Sequence, residues 1–276
     1  MTSSGPDPGG LLDLAVAVAR QAGALVATRR PPGSGDAGIA VLTTKSSPTD
    51  VVTAMDHASE ALIRSALLDA RPDDGFLGEE SDGFAGASGV QWVVDPIDGT
   101  VNYLYGIPAY AVSIAARWQG EVVAGVVHNP VSGETWTATR RGGAYLDDRP
   151  IQVSDTSELR YALVATGFGY DAERRGVQAV LAARLLPRIR DIRRMGAASL
   201  DLCAVAAGRV DAYYEQGLKP WDLAAAGLVA TEAGARVEGA HGGAASEALV
   251  IAASPELFGL LHDEVAELAD PRPAGP

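Results

Sequence analysis

Trp92-Val93-Val94-Asp95-Pro96-Ile97-Asp98-Gly99-Thr100 is the stretch on which the reading of this chain turns. Its first three residues form an apolar run of strand character that delivers Asp95 to the sheet edge. Two carboxylates three positions apart cannot both enter a core uncompensated, because a buried unpaired charge loses its hydration. A hard cation is the natural partner. Pro96 fixes its own φ and lacks an N–H, so the turn between the acids is stiff. The Ile97 carbonyl, with no regular ladder to join, is free to supply a further oxygen ligand. Gly99 lets backbone come close to an anion, Gly99 and Thr100 offer consecutive backbone N–H groups, and Thr100 sets a hydroxyl beside the metal. Asp-Pro and Asp-Gly are also ordinary turn formers, but a turn requires no second Asp followed by Gly and Thr.

Outward from that stretch lie two more acidic spots, which matter because one pair of carboxylates rarely completes a two-metal site. Gly78-Glu79-Glu80-Ser81 follows a helix-like segment from about Asp56 to Arg71, and Lys219-Pro220-Trp221-Asp222 precedes the apolar run Leu223 to Val229. Taken alone, Asp222 reads as a helix N-cap and Glu79-Glu80 as a solvated loop. Gly196-Ala197-Ala198-Ser199 heads another helix-like run, where small residues let an anion approach free N–H groups. Without further context that string reads as close helix packing, and Glu215 as a surface acid at a strand end.

The strings Lys45 to Asp50, Val52-Thr53-Ala54-Met55-Asp56, Gly78 to Ser81, Trp92 to Thr100, Ala212-Tyr213-Tyr214-Glu215 and Trp221 to Gly227 resemble the inositol monophosphatase family and occur in its order. The resemblance runs from about Leu11 to about Leu268, and Asp98 to Tyr103 with Thr166 to Tyr170 look most like the bacterial branch. It implies an α/β fold, a layered α-β-α-β-α sandwich, with a metal site between two halves. It also implies roughly two to three Mg²⁺ ions per subunit. Glu79, Asp95 and the Ile97 carbonyl would hold the first ion, and Asp95, Asp98 and Asp222 the second, with a weaker third ion sharing Glu79. The positions matching Asp56 and Thr100 orient the attacking water. Ala198 and Glu215 match positions facing the substrate's hydroxyls, and Asp98, Gly99, Thr100 and Gly196 complete the substrate contacts. The implied reaction is hydrolysis of an inositol monophosphate or similar small polyol phosphate, without a covalent intermediate. Homodimers and Li⁺ sensitivity are further family traits.

Composition bounds the rest. The chain has 276 residues, 47% hydrophobic and 21% charged, which describes a globular protein with a sizeable core. A formal net charge of −13 and the lack of a basic stripe argue against nucleic acid or anionic membrane as a main partner. No stretch is expected to span a bilayer. The single cysteine, Cys203, excludes an intrachain disulfide and lies in an apolar run, so it reads as a buried small hydrophobe in a cytoplasmic protein. His57, His128, His241 and His262 have no spacing that suggests a zinc cluster.

Periodicity divides the chain into a flexible arm (1–10), an α+β half (11–150), an α/β half (151–269) and a flexible tail (270–276). Helices are expected over about Leu11 to Thr28 and Asp56 to Ala70. An antiparallel meander follows over Pro108–Trp118, Glu121–His128, Glu134–Arg140 and Ala144–Asp147. Beyond Pro150 the order alternates: Ala162–Thr166, Glu173–Arg188, Ala197–Ala207, Asp211–Tyr214, Asp222–Ala233, Ala248–Ala253 and Pro255–Ala269. Substrate choice is expected to lie in the loops Tyr103 to Pro108 and Gly167 to Arg175. Histidinol phosphate, fructose 1,6-bisphosphate and a nucleotide 3′-phosphate are alternative substrates, and a non-catalytic scaffold is the alternative class. Against the scaffold stand carboxylates that would repel one another without a cation.

Overall fold

The computed structural model describes residues 5–28, 41–44 and 51–266. The Lys45 to Asp50 string, the first four residues of the arm and the tail lie outside them. Helix α1 (Pro8–Thr28) begins three residues ahead of the expected Leu11, so the end of the expected flexible arm is helical. The cause is Asp7, whose carboxylate accepts from the N–H groups of Gly9 and Gly10 at 3.1 Å each and caps the first turn. By length and composition α1 is apolar enough to cross a membrane, which corrects the expectation that no stretch is. Its buried stripe of Leu11, Ala15, Val18, Ala19 and Ala22 packs instead on a β-sheet.

Strands β1 (Val41–Thr44) and β2 (Val51–Thr53) pair antiparallel, a small sheet that the sequence pattern did not announce. Helix α2 (Ala54–Ala70) is started by Thr53, whose hydroxyl accepts from the Met55 N–H while Asp56 reaches back to the Thr53 N–H. Behind α2, the buried Asp74 accepts from the Arg71 guanidinium, the Ser88 hydroxyl at 2.6 Å and the Trp92 indole N–H at 3.0 Å. Three donors meet the hydrogen-bonding needs of one buried carboxylate and tie α2 to the strand that carries the metal motif.

That strand belongs to a seven-stranded sheet whose spatial order follows the chain: β3 (Gly75–Gly78), β4 (Val90–Asp98), β5 (Ala111–Trp118), β6 (Glu121–His128), β7 (Thr135–Thr139), β8 (Gly143–Leu146) and β9 (Arg149–Pro150). Only β3 and β4 run parallel; the other pairings are antiparallel, as the meander required. Because β4 lies one strand in from the edge, Asp95 emerges near the C-terminal end of an interior strand and not at the sheet edge. Between Asp95 and Asp98 the β4–β5 register slips, with Asp95 opposite Ser113 and Asp98 opposite Ala111. This bulge takes Pro96 and Ile97 out of the ladder and turns the strand into the short helix α3 (Thr100–Tyr105).

Past β9 the chain builds a five-stranded sheet from β10 (Leu163–Thr166), β11 (Asp191–Arg193), β12 (Ala212–Glu215), β13 (Arg236–Glu238) and β14 (Val250–Ala253), in the order β11-β10-β12-β14-β13. The strands β11, β10 and β12 are parallel, and β14 is antiparallel to both its neighbours. Helices α4 (Ala172–Leu185) and α7 (Pro255–Val265) cover its outer face. Helices α5 (Ala198–Ala206) and α6 (Pro220–Glu232) are wedged between the two sheets, which is why they are apolar on nearly every side. Their core joins Val93 and Trp136 of one sheet to Tyr213 and Val250 of the other. With α1 and α2 outside the large sheet, the layers read α-β-α-β-α.

Candidate metal centre

Two carboxylates at the end of β4 meet a third from a remote part of the chain. Asp95, Asp98 and Asp222 each bring an oxygen to within 4.8 Å of the others. The Glu79 carboxyl lies close enough to Asp95 to raise its proton affinity. Burial, the nearby Glu79, Asp98 and Asp222 charges push the Asp95 carboxyl far above the usual carboxylate range. Asp222 is driven upward by burial, then by Asp98 and Glu79. Burial also raises Asp98, against the lowering effect of its Ser199 hydrogen bonds.

Each acid has its own local anchor. Asp95 Oδ1 accepts from the Ile97 N–H at 3.0 Å across the bulge. Asp98 reaches the start of α5, accepting from the Ala198 N–H at 3.2 Å, the Ser199 N–H at 2.7 Å and the Ser199 hydroxyl. Asp222 is not the N-cap of α6; the helix starts at Pro220, and Asp222 accepts from the Lys219 N–H at 2.7 Å from within the first turn. Asp56 sits at the same point of α2, three residues past its N-cap. Such a set, all oxygen and mutually repelling, fits hard divalent cations, and Mg²⁺ above softer metals.

Beside the cluster, Asp56 and Thr100 form a second unit. The Thr100 hydroxyl lies 3.0 Å from Asp56 Oδ1 and 3.0 Å from the Ile97 carbonyl oxygen. The other oxygen of Asp56 accepts from the Thr53 hydroxyl at 2.5 Å and N–H at 2.8 Å, which orients the carboxylate. Burial still raises Asp56, and its hydrogen bonds to Thr53 and Thr100 oppose that rise.

A cavity of about 460 Å³ opens from the cluster and is lined by Glu79, Asp98, Asp222, Gly196, Ala198 and Glu215 among others. The loop from Gly167 to Asp171 lines it too, whereas Tyr103 to Pro108 does not. Gly99 and Gly196 both adopt positive φ, +89° and +92°. A Cβ on Gly99 would meet the Ala109 carbonyl at 2.9 Å, and one on Gly196 the Arg194 guanidinium at 2.4 Å, so both turns are kept free of side chains.

At the end of β12, Glu215 accepts from the Tyr213 hydroxyl at 2.6 Å and lines the cavity, so it is not a surface acid. Burial pushes its carboxyl up to about 7. Asp201, one turn into α5, is 1% exposed, and its Oδ1 has no hydrogen-bond partner. Burial, then Glu215 and Asp98, push it up to about 9, so it is protonated at neutral pH. Sequence reasoning missed Ser199, Tyr213, Asp201 and Arg194. Only the Thr53 to Asp56 capping pattern was there to be read. Cys203 is fully buried with its thiol pushed up, as expected of a small hydrophobe.

The sequence pattern of the inositol monophosphatase family matches residues 8–270. An inositol-1-monophosphatase of Mycobacterium leprae is 46% identical over 273 residues, covering 92% of this chain and 93% of that protein. A relative from Pasteurella multocida bearing the name Nus factor SuhB is 39% identical over 254 residues, covering 90% and 92%. Among solved structures, the extragenic suppressor protein suhB from Bartonella henselae superimposes with a TM-score of 0.85 at 35% identity, covering 95% of this chain and 99% of that one.

Proposed function

Because the chain belongs to the inositol monophosphatase family, we propose that it is a Mg²⁺-dependent phosphomonoesterase that releases phosphate from inositol monophosphate or a similar small polyol phosphate. The observation that carries this reading is the convergence of Asp95, Asp98 and Asp222 beside a polar cavity. Glu79, Asp95, Asp98, Asp222 and the Ile97 carbonyl are the groups that would hold the ions. When bound, Mg²⁺ offsets the substrate's negative charge and acidifies water.

The chain's own groups do the remaining work. Thr100, donating to Asp56, keeps lone pairs free to accept from a water, and Asp56 takes up the proton passed through the hydroxyl. Thr53 holds Asp56 in the orientation that this transfer needs. On the far side of the cavity Glu215 accepts from a substrate hydroxyl, and the first turn of α5 faces the polyol. No nucleophilic side chain is required, since water is the attacking group and Cys203 is sealed in the core.

Cytoplasmic residence, a homodimer and inhibition by Li⁺ complete the proposal. The relative named Nus factor SuhB makes a non-catalytic role the second reading. The deciding test is phosphate release with Mg²⁺, with and without EDTA, across inositol 1-phosphate, glycerol 2-phosphate, histidinol phosphate, fructose 1,6-bisphosphate and adenosine 3′,5′-bisphosphate. A chelator-sensitive preference for a polyol monophosphate is expected, and no release from any of them would favour the second reading.

A further inference from the structure

Helix α2 carries more of the site than Asp56. Asp56, Ser59, Glu60 and Ile63 recur at i, i+3, i+4 and i+7, one stripe of the helix, and all four are buried. Ile63 belongs to the apolar core, so the hydrophobic spacing accounts for one member of the stripe and leaves three polar residues to explain. Asp56 reaches Thr100. The Ser59 hydroxyl donates to the Pro96 carbonyl at 3.1 Å, gripping the turn between Asp95 and Asp98. Glu60, 4% exposed, accepts the backbone N–H of Glu80 through Oε2 at 2.8 Å.

Glu60 also presses on the other side of the same loop. A Cβ on Gly78 would meet Glu60 Oε2 at 2.3 Å, so a side chain there would displace the Glu60 carboxylate. Glu79 therefore stands between two neighbours whose backbones are both located by one buried carboxylate. A backbone N–H to side-chain oxygen hydrogen bond is directional enough to set the loop's path. The Glu79–Glu80 loop has no regular ladder beyond β3 to do so.

We propose that Glu60 is a positioning residue that holds Glu79 in the metal cluster, so that α2 sets the spacing between the water-activating pair and the metal ligands. The proposal rests on Glu79 being a ligand, as argued above. Groups that hold metal ligands in place are typically worth about 10- to 100-fold in metal affinity.

The test is calorimetric Mg²⁺ titration of the full chain, with the Mg²⁺ dependence of phosphate release alongside. Glu60→Leu should weaken binding about 10- to 100-fold, while Glu60→Gln, whose amide oxygen still accepts from Glu80, should stay within about threefold of wild type. Glu60→Asp retains the charge but falls a methylene short, so it should lose affinity like the leucine variant, and it serves if Glu60→Leu does not fold. Leu67→Ala, deeper in the same helix and away from the site, should lower thermal stability and leave affinity unchanged. Wild-type affinity in both Glu60→Leu and Glu60→Asp, or equal losses in the Gln and Leu variants, would overturn the positioning role alone. A wild-type chain that binds no Mg²⁺ would overturn the metal reading and this inference with it.

Discussion

The two walls of the cavity, with the residues packed behind them, both hold buried acids and treat them differently. Where β4 and α6 meet, Asp95, Asp98 and Asp222 crowd within 4.8 Å, and beyond burial the neighbouring carboxylates raise Asp95 and Asp222 further. Where β12 and α5 meet, Glu215 has the Tyr213 hydroxyl as a donor and Asp201 is raised chiefly by burial. Repulsion within a cluster is relieved by a shared cation, whereas burial of a single carboxyl is relieved by a proton. The first set could therefore share a cation, whereas the second is eased by a proton and a hydroxyl donor, although their residue types are the same.

The contrast is broken most directly at Asp95. Asp95→Asn is expected to lower Mg²⁺-dependent turnover by at least about a thousandfold, since several kcal/mol of charge stabilisation disappear. Its thermal stability without metal should equal or exceed wild type, because one member of a repelling set is gone. Phosphate release and melting in EDTA check both halves; retained turnover would remove the metal assignment.

On the opposite wall, Glu215→Gln should shift the ratio of turnover between inositol 1-phosphate and histidinol phosphate by about tenfold, the scale of one altered hydrogen bond to a charged group. Mg²⁺ affinity should not move. Equal loss on every substrate would show that Glu215 supports the fold and not recognition.

Acidity separates the walls in a third way. Folding raises these carboxyls above their ordinary values, 3.8 for aspartate and 4.5 for glutamate, toward about 7 at Glu215 and about 9 at Asp201. The native state then binds more protons than the unfolded chain, so stability is full below the ordinary values and falls as pH climbs through 7 toward 9. Melting in EDTA should show that decline, and saturating Mg²⁺ should remove the part due to Asp95, Asp98 and Asp222. A metal-free chain that gains stability over this range would contradict the buried cluster.

The smallest effect is expected at Asp201. Asp201→Asn should leave activity within about threefold of wild type, since it replaces a neutral acid by a neutral amide. It should also flatten the alkaline end of the metal-free stability decline, as differential scanning calorimetry would show.

Much of this was legible in the residues themselves. Asp95 to Thr100 announced that its acids would gather with others because proline, glycine and threonine have separate physical reasons to be there. The β5 to β8 meander was legible because its strands are bounded by turn residues and pair with their chain neighbours. By contrast β11 and β13 have three residues each, too few for a period, and they exist only because β10 and β14 offer them edges. The start of α6 was misplaced because Asp at N3 and Asp at the N-cap leave nearly the same trace in a sequence. Ser199 and Glu60 were invisible for a different reason: their partners, Asp98 and Glu80, are far away in the chain, and no local pattern records such a meeting.

The strand orders described above also set a timetable. From β3 to β9 every strand pairs with the next one made, so the large sheet can close as the chain leaves the ribosome. The smaller sheet inserts β10 and β14 between strands made at other times, and Asp222 meets its partners only when α6 packs between the two sheets. A refolding chain should thus recover its secondary structure well ahead of its chemistry, and the return of activity would time the last docking step.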